Sequence, residues 1–441
     1  MFTKIKNSLK HINYRLFISL LIMGLCPTIY NTVRVFLLGN LPGDYAYSIG
    51  GQLAWVNLIY EVINEAIILP LFYFVGKVIS DKKELTNRIK TGLIITFSIY
   101  LFLSIMVIIF VRPLLNIMAV DKNIIDASAT YIRIESIANI FVILAQFLYV
   151  VLVSLGKDKY IYFMTCLKLV LCILFDVFLV STLKCSLNLG INGIGITNII
   201  VNLILFIISL FIIKHEGINL FTKDKMSFKW SLDFLKIGGI SGLESFVRNI
   251  FYMLMICRMV NVVGEQGTYW VANNFIWGWL LLPILQLGEL IKQEIATDPN
   301  TVKNNTLGYF TITLIACLIW FILIPVYKPF MQYVLNFNDV DKLFKLVMIL
   351  IGFYVLFAIQ NVFDMTFYAL GKTNYMLFES VVTNVIYYGI CFILYITKIW
   401  TPTLTGIALM FGIGTAFDSV VSFVAYIYLL KKKHINILDV E

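Results

Sequence analysis

The chain has 441 residues, 60% of them drawn from AVILMFWYC and only 13% charged, against ~45–50% apolar and ~25% charged in soluble globular chains. With a mean hydropathy of +0.90 it cannot cover itself with polar surface, which excludes a soluble enzyme, a secreted disulfide scaffold and a disordered chain. The formal charge of +9 is scattered over short segments rather than gathered on one face, so it reads as membrane topology and not as affinity for nucleic acid.

A hydrocarbon core of ~30 Å takes ~20 apolar residues of helix, and irregular backbone cannot face lipid. Runs between charged or Gly/Pro punctuation predict an all-α integral membrane protein of twelve spans. The first six are 14–38, 53–79, 91–119, 124–154, 160–182 and 189–213, and the second six are 232–259, 268–294, 305–334, 342–370, 375–398 and 404–430. The leftover stretches are short, so no extramembrane domain is expected, and the first apolar run is too long for a cleaved signal. With the amino terminus inside, the inner connecting segments hold 22 Lys and Arg, among them Lys82, Arg88, Lys157 and Lys431, and the outer segments hold 7. This asymmetry predicts a multi-pass protein of the cell membrane with both termini cytoplasmic.

The chain also matches itself. Leu155-Gly156-Lys157 followed by Tyr160 recurs as Leu370-Gly371-Lys372 followed by Tyr375, and Arg112-Pro113 recurs as Lys328-Pro329. Val33-Arg34 pairs with Val247-Arg248, Gly193 with Gly406 and Gly76 with Gly288, every offset falling between 212 and 216. Six spans per repeat is an even number, so the halves share orientation: an amino-terminal lobe of residues 1–215, a cytoplasmic linker 216–231 and a carboxy-terminal lobe 232–441. Two pseudo-symmetric six-helix bundles of this kind place a substrate between them near the midplane.

An ionisable group inside a span costs ~2.5–3.5 kcal/mol on insertion scales, so each one asks for a reason. Span two carries Asn57, Glu61, Asn64 and Glu65 as one stripe, either a water-lined wall or a partner for Arg34 on span one. Span seven carries Glu244 and Arg248, spaced i, i+4 and able to neutralise each other; alternatively Arg34 and Arg248 face a common cavity that attracts an anionic group. Asp176 lies deep in span five, one turn from Cys172. A lone buried acid becomes affordable when a proton or Na⁺ visits it, which is the physical basis of ion coupling. Glu135, Asn139 and Gln146 share a face of span four, and Asn361, Asp364 and Tyr368 share one of span ten, whereas Glu379, Thr383 and Asp418 look isolated. Asn273 and Trp277 on span eight are candidate cavity residues, with Tyr269 and Trp270 assigned to an interfacial belt.

No phosphate loop is formed around Gly371-Lys372-Thr373, so ATP does not drive this chain by itself. The seven Cys lack C-x-x-C spacing and the three His lie at span edges, which argues against a metal site. No cofactor and no enzymatic activity are expected.

Twelve spans in two parallel halves, with Gly-Lys after spans four and ten, resemble the multidrug and toxic compound extrusion (MATE) family of the MOP flippase superfamily. The resemblance runs through Tyr30-Asn31-Thr32, Leu69-Pro70 to Gly76, Leu155-Gly156-Lys157 and Ile173-Leu174-Phe175-Asp176. It continues in Gly193-Ile194-Gly195-Ile196-Thr197 and in Lys236-Ile237-Gly238 into Gly242-Leu243-Glu244. It implies cation-coupled export, by Na⁺ or H⁺ antiport and alternating access, of small amphipathic organic compounds. Carried over by position, the cation site would comprise Asp176 and Thr197, with Cys172 where an Asn is usual, Asn31 where an Asp is usual, and Asp364 near an acidic position of span ten. The substrate cavity would draw on Arg34, Glu61, Glu65, Glu244, Arg248, Asn273 and Trp277, and its arginines would favour an anionic or zwitterionic substrate. The expected partners are the lipid bilayer and a small organic substrate, with the chain acting as a monomer. The alternative reading is a flippase for lipid-linked precursors or polysaccharides from the same superfamily.

Overall fold

The computed structural model describes residues 2–41, 45–220 and 225–437, without the side chains of Leu69, Ile240 and Glu244. Among these residues every regular element is helical, as it must be where lipid offers the backbone no hydrogen-bond partner. Eleven helices are long and apolar enough to cross a membrane, and a bent pair makes the twelfth. Spans one to six are Tyr14–Gly39, Ala46–Gly76, Lys82–Ile117, Lys122–Ser154, Lys159–Leu179 and Ile191–His215. Spans seven to twelve are Ser231–Val262, the pair Gln266–Leu280 and Leu282–Thr297, Thr301–Ile322, Val340–Ala369, Thr373–Ile396 and Leu404–Lys432. All twelve predicted spans are present, and the chain is a multi-pass membrane protein.

The differences have local causes. Span three starts nine residues before its apolar run because Asp81 caps it, accepting from the backbone N–H of Lys83 and Glu84, which lets a charged helical stem project beyond the hydrocarbon. Span eight is bent by 53°, because Pro283 lacks the N–H that would carry the ladder past Leu281. Span nine ends at Ile322 rather than running to 334, and a short helix Ile324–Pro329 follows the break at Leu323 and Pro325. The amino terminus adds a helix, Phe2–Lys10, that hydropathy did not reveal; its Ser8 is fully buried and accepts from the Gly308 N–H at 2.8 Å.

Contacts gather the chain into two compact units, Met1–Thr32 with Thr268–Glu441, and Val33–Gly267. Span seven therefore packs with the second of these, on the far side of the 216–231 segment where the sequence repeat divides. The repeat is nevertheless written into each unit. Gly156 and Gly371 both take positive φ, 67° and 65°, a left-handed turn that glycine adopts without steric cost. Arg112 pairs with Asp126 at 2.7 Å, and Lys328 pairs with Asp341 at 2.6 Å. Arg112 lies near the end of span three and Lys328 in the short helix after span nine, and each reaches the start of the span that follows, at matching places in the repeat. Beyond span six, Lys157 holds Glu216 at 2.6 Å and Tyr160 donates to the same carboxylate. These bonds hold the Glu216 carboxyl below the usual range.

Candidate functional site

In the unit Val33–Gly267 a polar chain crosses four helices. Arg34 of span one donates through Nε to Asp176 Oδ2 of span five at 2.6 Å and through Nη2 to Asn198 Oδ1 of span six at 2.7 Å. Asn198 in turn donates to both carboxylate oxygens of Glu135 on span four, at 2.8 and 3.0 Å. The Asp176 side chain is fully enclosed, and that of Arg34 is 11% exposed. This overturns the expectation of a lone acid in span five: Asp176 already has a permanent counter-charge, so no visiting cation is required to make its burial affordable. Thr197 faces the same carboxyl, yet Asp176 Oδ1 and Thr197 Oγ1 are both buried without a completed hydrogen bond. Cys172 is buried one turn away, and Asn31 is exposed on span one. Asn198, the link between the two acids, was not singled out from the sequence; its position next to Thr197 was the available signal.

The second arginine takes the stripe on span two. Arg248 Nη2 reaches Glu65 Oε1 at 2.8 Å and Glu61 Oε1 at 3.3 Å. The pairing foreseen between this stripe and Arg34 is thus made by Arg248, and the Glu244 side chain lies outside the described residues. What brings the helices together is a column of small residues. Gly238 and Gly242 lie against Ala66, Ser245 is fully buried, and Asn249 donates to the Leu58 carbonyl at 3.2 Å. Small residues at this spacing let helix backbones approach closely in lipid. The three charged side chains stay partly open, Arg248 at 39%, Glu61 at 42% and Glu65 at 25%. Neither arginine is an uncompensated cation: two described carboxylates flank Arg248, and Asp176 and Glu135 flank the Arg34–Asn198 pair. The inference that these arginines favour an anionic substrate loses its premise.

The unit Met1–Thr32 with Thr268–Glu441 holds a second polar seam. Asp418 of span twelve accepts from Gln360 Nε2 at 2.7 Å and Thr383 Oγ1 at 2.6 Å. Ser419 donates to Gln360 Oε1 at 2.8 Å, and Ser422 to Asp364 Oδ1 at 2.7 Å. Thr383 and Asp418, which looked isolated in the sequence, are therefore joined to each other and to Gln360, while Glu379 of span eleven is buried. The face of span ten that carries the seam is Gln360 and Asp364, because Asn361 instead donates to the Ile284 carbonyl at 3.1 Å and Tyr368 is stacked under Lys292 Nζ at 5.1 Å. Trp277 donates to Tyr354 Oη at 3.1 Å and meets Phe357 edge-on, remaining 40% exposed. Asn273 is half-buried one turn before it. Tyr269, assigned to a lipid-facing belt, is buried instead.

Residues 20–178 match the MatE family model. The fold as a whole is similar to solved transporters at low sequence identity. An inward-facing multidrug resistance MATE family transporter of the MOP superfamily aligns with a TM-score of 0.75 and 16% identity, covering 95% of this chain and 98% of that one. A mutant of the Vibrio cholerae MATE transporter VcmN aligns at 0.71 and 15%, covering 99% of both. A match to the MatE model over residues 20–178 thus sits within a fold shared with solved MATE transporters. A MOP superfamily transporter from Pyrococcus furiosus, described as having a binding pocket of reversed polarity, shares that fold at 0.66 and 16%, over 98% of both chains. No curated protein matches the sequence. The MATE resemblance read from the motifs is met by both the family model and the fold.

Proposed function

We propose that this MATE-fold chain is a secondary active exporter of small amphipathic organic cations, driven by counterflow of a monovalent cation through alternating access. The moving bodies would be the six-span repeat halves, residues 1–215 and 232–441, in a cell membrane with both termini cytoplasmic. The observation that carries the reading is the partly open cluster of Glu61, Glu65 and Arg248 inside two spans. Three charges at this exposure are tolerable within a membrane only where water reaches them. Two carboxylates against one guanidinium leave one negative charge in excess among the described side chains, which suits a cationic guest. Such a guest would compete for Glu61, the carboxylate that Arg248 holds at the longer distance.

Proteoliposomes loaded with a fluorescent cationic dye test this directly. Efflux is expected under an imposed Na⁺ or H⁺ gradient and is expected to collapse when an ionophore removes that gradient. Glu61→Gln and Glu65→Gln each leave fewer anions beside Arg248, and a tenfold or greater fall in cation efflux is expected for the double variant, equivalent to ~1.4 kcal/mol or more. Efflux that ignores both gradients refutes coupling, and headgroup-dependent lipid translocation without dye efflux replaces the export reading by the flippase one.

A further inference from the structure

Arg133 sits inside span four with no carboxylate to answer it. Among the described residues Arg34, Arg88, Arg112 and Arg248 each hold an acid. Arg133 has instead one acceptor, the Ile108 carbonyl of span three, which its Nε reaches at 3.4 Å. A guanidinium carries five N–H donors and is never deprotonated in a protein, so most of its donors and its whole charge are left for something other than this chain. The side chain is half-buried, in a stretch of helix where a charge is costly unless an anion or water meets it.

Two features fix where this charge points. Span four enters the membrane from Lys122, and a helical side chain leans toward the amino end of its helix, so the Arg133 guanidinium is directed back toward the membrane surface. Its partner Ile108 is one turn, ~6 Å, from Arg112, which pairs with Asp126 at the exposed rim of the same two spans. That rim pair is neutral as a whole, so the net charge here is the one on Arg133. The surroundings are apolar: Ile105 and Ile109 on span three and Ile137 on span four are exposed. Ile140 and Leu144, the next residues on that face of span four, are buried. A lipid-facing strip therefore runs from the rim down past Arg133 to Ile137 and is covered beyond it.

We propose that Arg133 holds the phosphodiester of one singly anionic phospholipid, of the phosphatidylglycerol type, from the leaflet at the Arg112 end, with an acyl chain laid along Ile105, Ile109 and Ile137. Charge matching carries the choice. One phosphodiester cancels the one unanswered charge, and its two free oxygens suit the paired donors of a guanidinium. A zwitterionic headgroup would bring a second cation to the strip and leave the arginine charge uncancelled in the sum. The leaflet offers its phosphates where a long basic side chain stretched toward the surface can reach them. The inference is independent of the export reading and of which side the termini occupy.

Native mass spectrometry of the purified full chain, titrated with phosphatidylglycerol and with phosphatidylcholine of the same acyl chains, reads this without any transport. The first phosphatidylglycerol is expected to bind about fivefold more tightly than phosphatidylcholine, equivalent to the ~1 kcal/mol that one basic residue gains beside an anionic leaflet. Arg133→Gln is expected to abolish the preference, and Arg133→Lys to keep part of it, since lysine retains the charge but not the planar fork. Arg112→Gln with Asp126→Asn, which leaves the net charge unchanged, is expected to retain it. Thermal unfolding in phosphatidylcholine vesicles separates lost binding from lost fold, and Arg133→Met, uncharged and of similar reach, repeats the test if Arg133→Gln unfolds early. An uncharged variant that keeps the preference, or a wild type that shows none, overturns the proposal. So does displacement of the bound lipid by inorganic phosphate, which would make the position a water-filled anion site.

Discussion

Arg34→Ala is expected to be the most destabilising single change in the chain, lowering stability by about 3–5 kcal/mol, the usual cost of stranding one partner of a buried ion pair. The substitution leaves Asp176 fully enclosed without its cation, and it leaves the Asn198 carbonyl oxygen without the donor that orients its amide toward Glu135. The measurement is thermal unfolding in detergent followed by size-exclusion fluorescence. A companion variant sharpens it: Arg34→Gln with Asp176→Asn removes both charges together, and it should recover much of the loss because no unpaired ion remains. An Arg34→Ala protein as heat-stable as the wild type would show that this pair is not what makes the acid tolerable. A cation visiting Asp176 would then return as the explanation for it.

The second large effect is expected at Gly238. A Cβ at this position would lie 2.0 Å from the Ala66 carbonyl oxygen, a backbone atom that cannot rotate away. Gly238→Leu must therefore push spans two and seven apart. The ordinary overpacking penalty is ~1–3 kcal/mol, and a clash with backbone belongs at its upper end. The separation also withdraws Arg248 from Glu61 and Glu65, so cation efflux should fall along with stability. Gly239 supplies the control on the same turn, since a Cβ there meets nothing within 4 Å. Gly239→Leu should behave as wild type in both assays. Equal damage from the two substitutions would mean that general helix disruption, and not the close approach to Ala66, is responsible.

Both expectations turn on which helix faces meet, and this marks where sequence reading succeeded and where it stopped. The stripe Asn57, Glu61, Asn64 and Glu65 was legible because helical periodicity alone puts those residues on one face. Its partner was not: Arg34 and Arg248 occupy matching places in the repeat and are indistinguishable by spacing. Only packing assigns one to Asp176, 142 residues away, and the other to Glu65, 183 residues away. Likewise Glu379, Thr383 and Asp418 looked solitary, since none is matched by a charged partner on its own helix. Packing is what brings Thr383 of span eleven and Gln360 of span ten onto the Asp418 carboxylate of span twelve.

The sequence by itself determined the spans and the repeat. Lipid forces every backbone hydrogen bond inside the segment that crosses it, so each crossing is a long apolar run that can be read without knowing its neighbours. The turn glycines Gly156 and Gly371 were equally readable, because a left-handed residue favours glycine wherever it occurs. Tertiary structure alone decided the charge pairing. An ion pair depends on the rotation of one helix against another, and that rotation is set by small contact residues such as Gly238 and Ala66, which carry no charge and announce nothing of their partner.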